Sequence, residues 1–336
     1  MNRSLTTKKG GNLMRKKVWV AFLILALTAF LCTFSTTTVF AAKKFVSIAS
    51  GWVVGVYYPL AGAISNIAHK NLPDIKITVE SSGASVANAK LIASGDADMA
   101  ILQNDIAYYA LKGTKPMFDK EVANMRGITA LYQEHCQIQA RRDAKIATVK
   151  DLKGKRVCVG PLGSGTEQNA MQILEAYGMS FNDLGKVERL TATESSDYLK
   201  DGRLDAAFYS VGVGASGLVD TAMTVDSVIV PIDAQTAEAM IKKYPFFTKA
   251  IVPKTAYKGM EADVPTVAVM AILVARAEME EAMAYQITKV IFDNIKDIER
   301  AHAKGKEVTL ESALNGMSIP LHPGAEKFFK EKGIKK

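Results

Sequence analysis

The sequence predicts an α/β fold of two similar lobes, each a mainly parallel β-sheet flanked by helices. Two stretches share one order of elements: strand, glycine-bearing loop, helix, strand, helix, the motif Gly-x-x-Asp-x-Ala, and strand. The motif begins at Gly95 in the first stretch, 40 residues after Gly55, and at Gly202 in the second, 39 residues after Gly163. Alternating strands and helices are typical of parallel sheets covered by helices. One sheet with a coincidental repeat is the alternative.

Each element of the first copy has a local signal. An apolar run that ends at Gly51 predicts a buried strand, and Pro59 opens a helix because proline is favoured in the first helical turn. Residues 75–80 alternate apolar and polar side chains, as a strand does. Residues 84–94 then predict a helix, and residues 99–102 predict the last strand of the copy.

The second copy repeats this order. Strands are predicted at 155–160, 187–193 and 206–210, with helices from the glycine loop to residue 177 and at 196–200. In parallel sheets, ligands bind beyond the carboxyl ends of the strands. Two facing units would place two such edges across one cleft, as in hinged proteins that close on a ligand.

The tail supplies the rest of the predicted architecture. A strand is expected at 267–274, with helices at 279–296, 298–304 and 324–332. We assign residues 43–133 to the first part of lobe 1, 134–249 to lobe 2, and 250–336 to a return to lobe 1 with C-terminal helices. The chain would therefore cross between the lobes twice.

Residues 1–41 have the pattern of a cleaved signal peptide. Six basic and no acidic residues occur there, residues 18–34 are nearly all apolar, and small residues follow at Ala41 and Ala42. An uncleaved anchor is one alternative, and a lipoprotein attached through Cys32 is another. Removing six of the 42 basic residues leaves 36 against 34 acidic ones, so the net charge falls from +8 to about +2. Such a charge gives no support to nucleic-acid binding.

The remaining cysteines, Cys136 and Cys158, allow either one disulfide or two buried free thiols. The histidines are too far apart in sequence to suggest a shared metal, so no metal or cofactor is expected. The pair Glu134 and His135 lacks a nucleophile and is weak as an acid–base site. We therefore expect no enzymatic activity.

The loop 160–167 carries the clearest chemistry. Ser164 and Glu167 have capping-box spacing at a helix start, and free N–H groups with hydroxyls there would seat an anion. Ser164, Gly165 and Thr166 are the candidate ligands, and a plain helix start is the alternative. A P-loop is excluded because Thr166 stands where lysine is required, and a nucleophile elbow lacks both of its glycines.

The first copy offers matching loops at strand ends. Their glycines let the backbone approach a ligand, and their tyrosines offer a stacking face and a hydroxyl. Solvated turns and ordinary packing are the alternatives. The candidate residues of these loops are Ser50, Trp52, Gly55, Val56, Tyr57, Tyr58, Ser81, Ser82, Gln103, Asn104 and Asp105.

An ordered set of motifs resembles the TAXI family, the solute receptors of tripartite ATP-independent periplasmic (TRAP) transporters. The motifs are Gly-Val-Tyr-Tyr-Pro (55–59), Ala-Ser-Gly-Asp-Ala-Asp (93–98), Gln-Asn-Asp (103–105), Asp-Leu-Lys-Gly-Lys-Arg-Val (151–157), Gly-Ser-Gly-Thr (163–166) and Ile-Pro-Leu-His-Pro-Gly-Ala (319–325). The resemblance implies a type II periplasmic binding fold. It also implies ligand-facing loops at 50–58, 81–83, 103–105 and 163–166.

The expected function is capture of a small anionic metabolite between two lobes, with no bond made or broken. The resemblance implies glutamate, a related amino acid or a dicarboxylate such as 2-oxoglutarate as ligand. It also implies a periplasmic protein with TRAP permease subunits as partners, and we expect a monomer. The alternative is a binding protein of the same fold that serves an ATP-driven importer or a sensor kinase.

Overall fold

Within residues 43–53, 55–115 and 117–335, which a computed structural model describes, ten strands form one mixed sheet. The predicted signal peptide, residues 1–41, lies outside these residues. The strands are β1 (Lys44–Ala49), β2 (Ile75–Glu80), β3 (Met99–Gln103), β4 (Met125–Arg141), β5 (Arg156–Cys158), β6 (Lys186–Glu188), β7 (Ala206–Val211), β8 (Ser227–Ile229), β9 (Thr248–Val252) and β10 (Val264–Arg276). Their order is β2-β1-β3-β10-β4-β7-β5-β6, with β8 on β4 and β9 on β10.

Ten α-helices connect and cover the strands in the described part of the chain. They are α1 (Tyr57–Asn71), α2 (Ser85–Ser94), α3 (Asn104–Lys112), α4 (Gly165–Ala176), α5 (Ala192–Lys200), α6 (Ser216–Thr224), α7 (Ala234–Lys243), α8 (Glu281–Asp293), α9 (Ile295–Ala301) and α10 (Pro323–Glu331). None of the helices described is long and apolar enough to span a membrane. The sequence patterns did not predict α3, α6 or α7.

The predicted internal repeat forms two matching parallel units. In the first repeat, β1 lies between β2 and β3, and in the second, β5 lies between β6 and β7. All four of these strand pairs are parallel. The elements β1-α1-β2-α2-β3 therefore correspond to β5-α4-β6-α5-β7, as the sequence order requires.

Two long antiparallel strands join the repeats. The first part of β4 pairs with β10, and its last part pairs with β7. β10 also pairs with β3, so hydrogen bonding continues from one repeat to the other. His135 marks the change of partner, because it is opposite Ala268 of β10 and Val211 of β7. The middle of β4 is therefore shared by both halves of the molecule.

The aspartate of each Gly-x-x-Asp-x-Ala motif ties the third strand of a repeat to its first. The Asp98 Oδ2 atom accepts a 2.9 Å hydrogen bond from the Ser47 backbone N–H, and Arg276 pairs with the same carboxylate at 2.6 Å. In the second repeat the Asp205 Oδ2 atom accepts a 2.8 Å hydrogen bond from the Arg156 backbone N–H, and the Arg156 guanidinium completes the pair. The same contact between the third and the first strand therefore occurs in both repeats.

The glycine of the motif follows a helix in both repeats. Gly95 and Gly202 have φ angles of +81° and +68°, a region that favours glycine because it has no Cβ. The chain can therefore leave the helix and enter the next strand within a few residues. The motif is a helix-to-strand connection that works in the same way in both repeats.

The two cysteines are free and buried, which decides between the alternatives that the sequence left open. Cys136 lies in β4 and Cys158 in β5. Burial raises the pKa of the Cys136 thiol well above its usual value, so it stays protonated. Both thiols act as small apolar side chains of the interior.

Candidate functional site

A cleft of ≈210 Å³ is lined by residues from both repeats. We call its two sides the first wall and the second wall. The first wall consists of Gly51, Trp52, Gly55, Val56, Tyr57, Ala84, Tyr132, Glu134 and His302. The second wall consists of Thr166, Ala192, Thr193, Ser210, Val211, Gly214, Ala215, Ser216, Gly217 and Leu218.

The second wall is formed largely by the starts of three helices. Thr166 lies in the first turn of α4, Ala192 and Thr193 begin α5, and Ser216 and Gly217 begin α6. Within the described chain, the backbone N–H groups of these five residues make no hydrogen bond. Helix N-termini carry partial positive charge, and such N–H groups are the usual seat of carboxylates and phosphates. The second wall is therefore suited to an anion.

Local sequence explains why α4 and α5 start where they do. The Ser164 Oγ atom accepts a 3.2 Å hydrogen bond from the Glu167 N–H, and Thr191 and Glu194 form a reciprocal capping box. Glu167 does not complete the predicted box. Its carboxylate accepts a 3.0 Å hydrogen bond from the Gly163 N–H and pairs with Arg189 at 2.6 Å.

The first wall contains a buried acid between two tyrosines. The hydroxyl of Tyr57 donates to Glu134 Oε2, and the hydroxyl of Tyr132 donates to Glu134 Oε1, both at 2.9 Å. The two rings meet edge to face, with centroids 6.3 Å apart. Glu134 is 3% exposed and lies in the middle of β4, opposite Val269 of β10. It thus has a fixed position between the repeats.

Charges in the cleft are few. Among the described residues that line it, none is lysine, arginine or aspartate. Burial raises the pKa of Glu134 to about 7, while the hydrogen bonds from Tyr132 and Tyr57 act in the opposite direction. Besides the tyrosines, the other ionisable side chain of the described lining is His302. Burial lowers the pKa of His302, and this shift favours the neutral imidazole.

Five of the predicted site residues line this cleft. Trp52, Gly55, Val56 and Tyr57 belong to the first wall, and Thr166 belongs to the second. Tyr57 and the half-buried Trp52 supply the aromatic surface that the sequence suggested.

Four residues of the first-repeat loops lie outside the lining. The Ser50 hydroxyl donates to the Glu80 carbonyl at 2.7 Å, and the Ser82 hydroxyl donates to Asn88 at 2.5 Å. Both serines therefore hold neighbouring loops together. Ser81 is exposed, and Tyr58 is half-buried on α1 away from the cleft.

The predicted loop 103–105 is the end of β3 and the start of α3, and it is buried and does not line the cleft. Asn104 donates to the carbonyls of Phe246 and Gly316 and accepts from the Met270 N–H, so it fixes the surrounding chain. Asp105 accepts a 2.8 Å hydrogen bond from Asn169 of α4. This loop contacts the second repeat directly.

Gln103 and Gly165 are packed together outside the cleft lining. A Cβ atom on Gly165 would lie 1.7 Å from Gln103 Oε1, so a larger residue there would require the buried Gln103 side chain to move. Ser164, which is 2% exposed, is the cap of α4 and does not line the cleft. The predicted loops 103–105 and 163–166 come together at Gln103 and Gly165, and Thr166 is the residue of these two loops that lines the cleft.

Sequence reasoning missed most of the second wall. The segment 214–218 had no motif, although Gly214, with φ of +83°, and Gly217 resemble the glycines of the other loops. The start of α5 was hidden because residues 187–193 were predicted as a strand. Thr191 and Glu194 have capping-box spacing and could have identified that helix start. Within the described residues, no cluster of three metal-binding side chains occurs.

Comparisons with known proteins agree with this architecture. The model of the NMT1-like family matches residues 48–333. PhnD1 from Prochlorococcus marinus, solved with methylphosphonate, is 14% identical, with 78% of this chain and 90% of that chain covered and a TM-score of 0.52. A protein from Bordetella bronchiseptica RB50 is 14% identical, with 86% of this chain and 89% of that chain covered and a TM-score of 0.51.

A third solved structure is more distant. It is named as an L-cystine ABC transporter from Listeria monocytogenes and is 13% identical. The match covers 79% of this chain and 98% of that chain, with a TM-score of 0.49. Together with the sheet topology, the first two matches show the fold of the periplasmic binding proteins.

Proposed function

The chain belongs to the NMT1-like family, and we propose that it is an extracytoplasmic solute receptor that holds a small carboxylate in the cleft. The observation that carries the proposal is the second wall, where three helix starts present unbonded N–H groups to one cavity. A carboxylate there would accept hydrogen bonds from the backbone without any cationic side chain. Trp52 and Tyr57 would cover the rest of the ligand.

We propose that binding is coupled to closure of two lobes. Residues 43–133 and 250–336 would form lobe 1, and residues 134–249 would form lobe 2. β4 and β10 are the long strands between the repeats, and each would flex where its partners change. The bond between Asp105 and Asn169 would help to hold the closed form, because it joins the two lobes.

Two classes of membrane transporter are proposed as partners of this receptor. A TRAP permease is supported by the TAXI-like motifs of the sequence alone. An ATP-driven importer is the second class, and it is the alternative that the sequence left open. Identities of 13–14% bear on the fold, so the choice between these partners rests on experiment.

Export and the absence of catalysis are part of the proposal. Residues 1–41 would direct the chain to the periplasm and be removed there. In the cleft, hydrogen bonds from two tyrosines hold the carboxylate of Glu134, and we assign this arrangement to binding and not to bond cleavage.

The test uses a single fluorescent reporter. The sequence has two tryptophans, Trp19 and Trp52, and Trp19 lies in the predicted signal peptide. In the chain that begins at residue 42, Trp52 alone reports on the cleft. We expect a saturable change in its emission with one class of amino acids, dicarboxylates or oxo acids, and a higher Tm at saturating ligand.

Two neighbouring tyrosines supply a matched pair of variants. Tyr57→Ala should weaken binding strongly because Tyr57 lines the cleft, and Tyr58→Ala should retain it because Tyr58 does not. The Tm of each ligand-free variant checks that it is folded. Absence of any saturable response, in protein freed of bound ligand by unfolding and refolding, would count against a carboxylate receptor.

A further inference from the structure

A buried acid faces the cleft where β4 passes from one repeat to the other. Glu134 is 3% exposed, and its two carboxylate oxygens accept hydrogen bonds from Tyr57 and Tyr132. Hydroxyl donors to both oxygens favour the ionised form. No lysine or arginine is among the described residues that line the cleft, so this charge has no cationic partner there.

The hydrogen bonding of Glu134 is incomplete. An ionised carboxylate offers about four acceptor sites, and Tyr57, Tyr132 and the Gln103 side chain use three of them. A buried charge without an opposite charge is unfavourable, and a ligand that brings a positive group would relieve that cost. The first wall is therefore suited to a positively charged group that carries several hydrogen-bond donors.

The second wall is suited to a negatively charged group. Its helix starts present N–H groups at Thr193, Ser216 and Gly217, and its described lining residues include no acidic side chain. A carboxylate on this wall and a cation on the first wall would lie in one cleft of ≈210 Å³. The two walls together match a small molecule that carries both charges.

We propose that Glu134 binds the ammonium group of a zwitterionic ligand whose carboxylate lies on the second wall. This inference rests on the proposed function, since it assigns the second end of the same ligand. The ligand class is then an amino acid or a similar amino carboxylic acid. Dicarboxylates and oxo acids without an amino group, such as 2-oxoglutarate, bind more weakly because they leave the Glu134 charge unpaired.

A rival arrangement has a protonated Glu134 that donates to a second carboxylate of the ligand. The two arrangements differ in pH dependence. The side chains that act on Glu134 are Tyr57 of α1, Tyr132 of β4, Gln103 of β3 and Asp105 of α3, and His302 lies in the same lining. Burial raises the pKa of Glu134 to about 7, so its ionised fraction grows between pH 5 and pH 8. Binding of an ammonium group should tighten over that range, and binding by a protonated acid should weaken.

The experiment compares pairs of compounds that differ only in the amino group. The pairs are L-glutamate with glutarate, L-leucine with 4-methylpentanoate, and L-alanine with propionate. For the pair that binds, calorimetry on the mature chain should give a Kd about 10- to 100-fold lower for the amino compound. Glu134→Gln should remove most of this difference by weakening the amino compound.

A matched control is Glu238→Gln. Glu238 is exposed on α7 and pairs with Lys249 at 2.7 Å, away from the cleft lining, so this variant should keep the full preference. If Glu134→Gln does not fold, the pH series on the wild-type chain decides, because it needs no substitution.

The outcomes separate this inference from the proposed function. Equal or tighter binding of the compounds without an amino group, or binding that tightens from pH 8 to pH 5, overturns the role of Glu134 and leaves the receptor intact. No binding of any amino acid, dicarboxylate or oxo acid, with no Trp52 response, overturns the proposed function and this inference with it.

Discussion

The two repeats have the same topology and contribute different chemistry to the cleft. In the first repeat, the residues after β3 are buried, and Asn104 and Asp105 bond to the surrounding protein. In the second repeat, the segment 214–218 follows β7 and lines the cleft, and the N–H groups of Ser216 and Gly217 make no hydrogen bond within the described chain. Corresponding positions thus serve packing in one repeat and line the cleft in the other.

This difference shows what a repeat does and does not determine. The aspartate tie is the same in both repeats because both need their third strand held to their first. The loop after the third strand is free to differ, since no strand pairing depends on it. Topology therefore places several loops at one cleft, and the residues of each loop decide which of them can hold a ligand.

The largest expected effect comes from adding negative charge to the second wall. Thr193→Asp and Ser216→Asp each place a carboxylate beside the unbonded N–H groups, and both positions are exposed enough to accept it. The added carboxylate would repel the ligand carboxylate and occupy its N–H donors, so binding should weaken by about 100-fold or more. Calorimetry with the best ligand measures the loss.

The control for this prediction comes from the first repeat. Ser81→Asp adds the same charge at an exposed position outside the cleft lining, at the end of β2. Its Kd should stay within about twofold of the wild type, as expected for a distant, screened charge. Equal losses at Ser81 and Thr193 would mean that net charge, and not the second wall, governs binding.

The next effect compares glycines of the two repeats. Gly165→Ala would place a Cβ atom 1.7 Å from Gln103 Oε1, whereas Gly55→Ala meets only the Trp52 carbonyl at 3.2 Å. Overpacking should outweigh the helix propensity gained and lower the free energy of unfolding by about 2 kcal/mol at Gly165. Urea denaturation measures the change.

A second substitution tests the cause of that loss. Gln103→Ala in the Gly165→Ala background removes the clashing amide, so the double variant should regain part of the stability that Gly165→Ala loses. Strictly additive losses would show that the contact between the two loops is not the source of the effect.

A smaller effect is expected at the paired aspartates. Asp98→Ala and Asp205→Ala each remove an acceptor for a strand N–H and an arginine partner. Both should lower the free energy of unfolding by about 1–2 kcal/mol, since the ties are partly exposed. A loss at one site only would contradict the structural equivalence of the repeats.

The acid side of the stability profile gives a related check on Asp205. The hydrogen bonds from Arg156 lower the pKa of Asp205. A lowered pKa means that the stabilisation is present above the ordinary carboxyl range and is lost as pH falls below about 4. Asp205→Ala should therefore flatten the loss of stability in acid.

The last effect is a change in the slope of stability with pH. Burial raises the pKa of Asp105 to about 7, so the folded chain binds a proton there that the unfolded chain releases near pH 4. Stability should then fall as pH rises from about 4 to about 7, by at most about 1.4 kcal/mol per pH unit for this group. Asp105→Asn should reduce that slope, and Glu134 should maintain the remainder because its pKa is also raised. An unchanged slope in thermal melts would contradict a protonated Asp105.

Much of the fold could be predicted because strand periodicity and the repeated motif are local signals. The strand order of both repeats follows from β1-α1-β2-α2-β3 and its copy. The length of β4 could not be predicted, because polar residues such as Gln137 and Gln139 interrupt its apolar pattern. Both side chains are buried and bond to neighbouring residues, a tertiary compensation that the sequence does not display.

The site was predictable in part for the same reason. Tyr57 and Thr166 follow glycine loops that the sequence marks clearly, and both line the cleft. Gln103, Asn104 and Asp105 have the composition of a ligand loop, yet they are buried by contacts with distant segments. Residue type alone cannot tell a ligand contact from a contact between two parts of the same chain.

The most direct measurement of the central claim is a structure of the mature chain with the tightest ligand found by the Trp52 titration. We expect the ligand carboxylate to accept hydrogen bonds from the N–H groups of Ser216 and Gly217, between the first and second walls. A ligand bound outside this cleft, or one whose carboxylate points away from the second wall, would contradict the account.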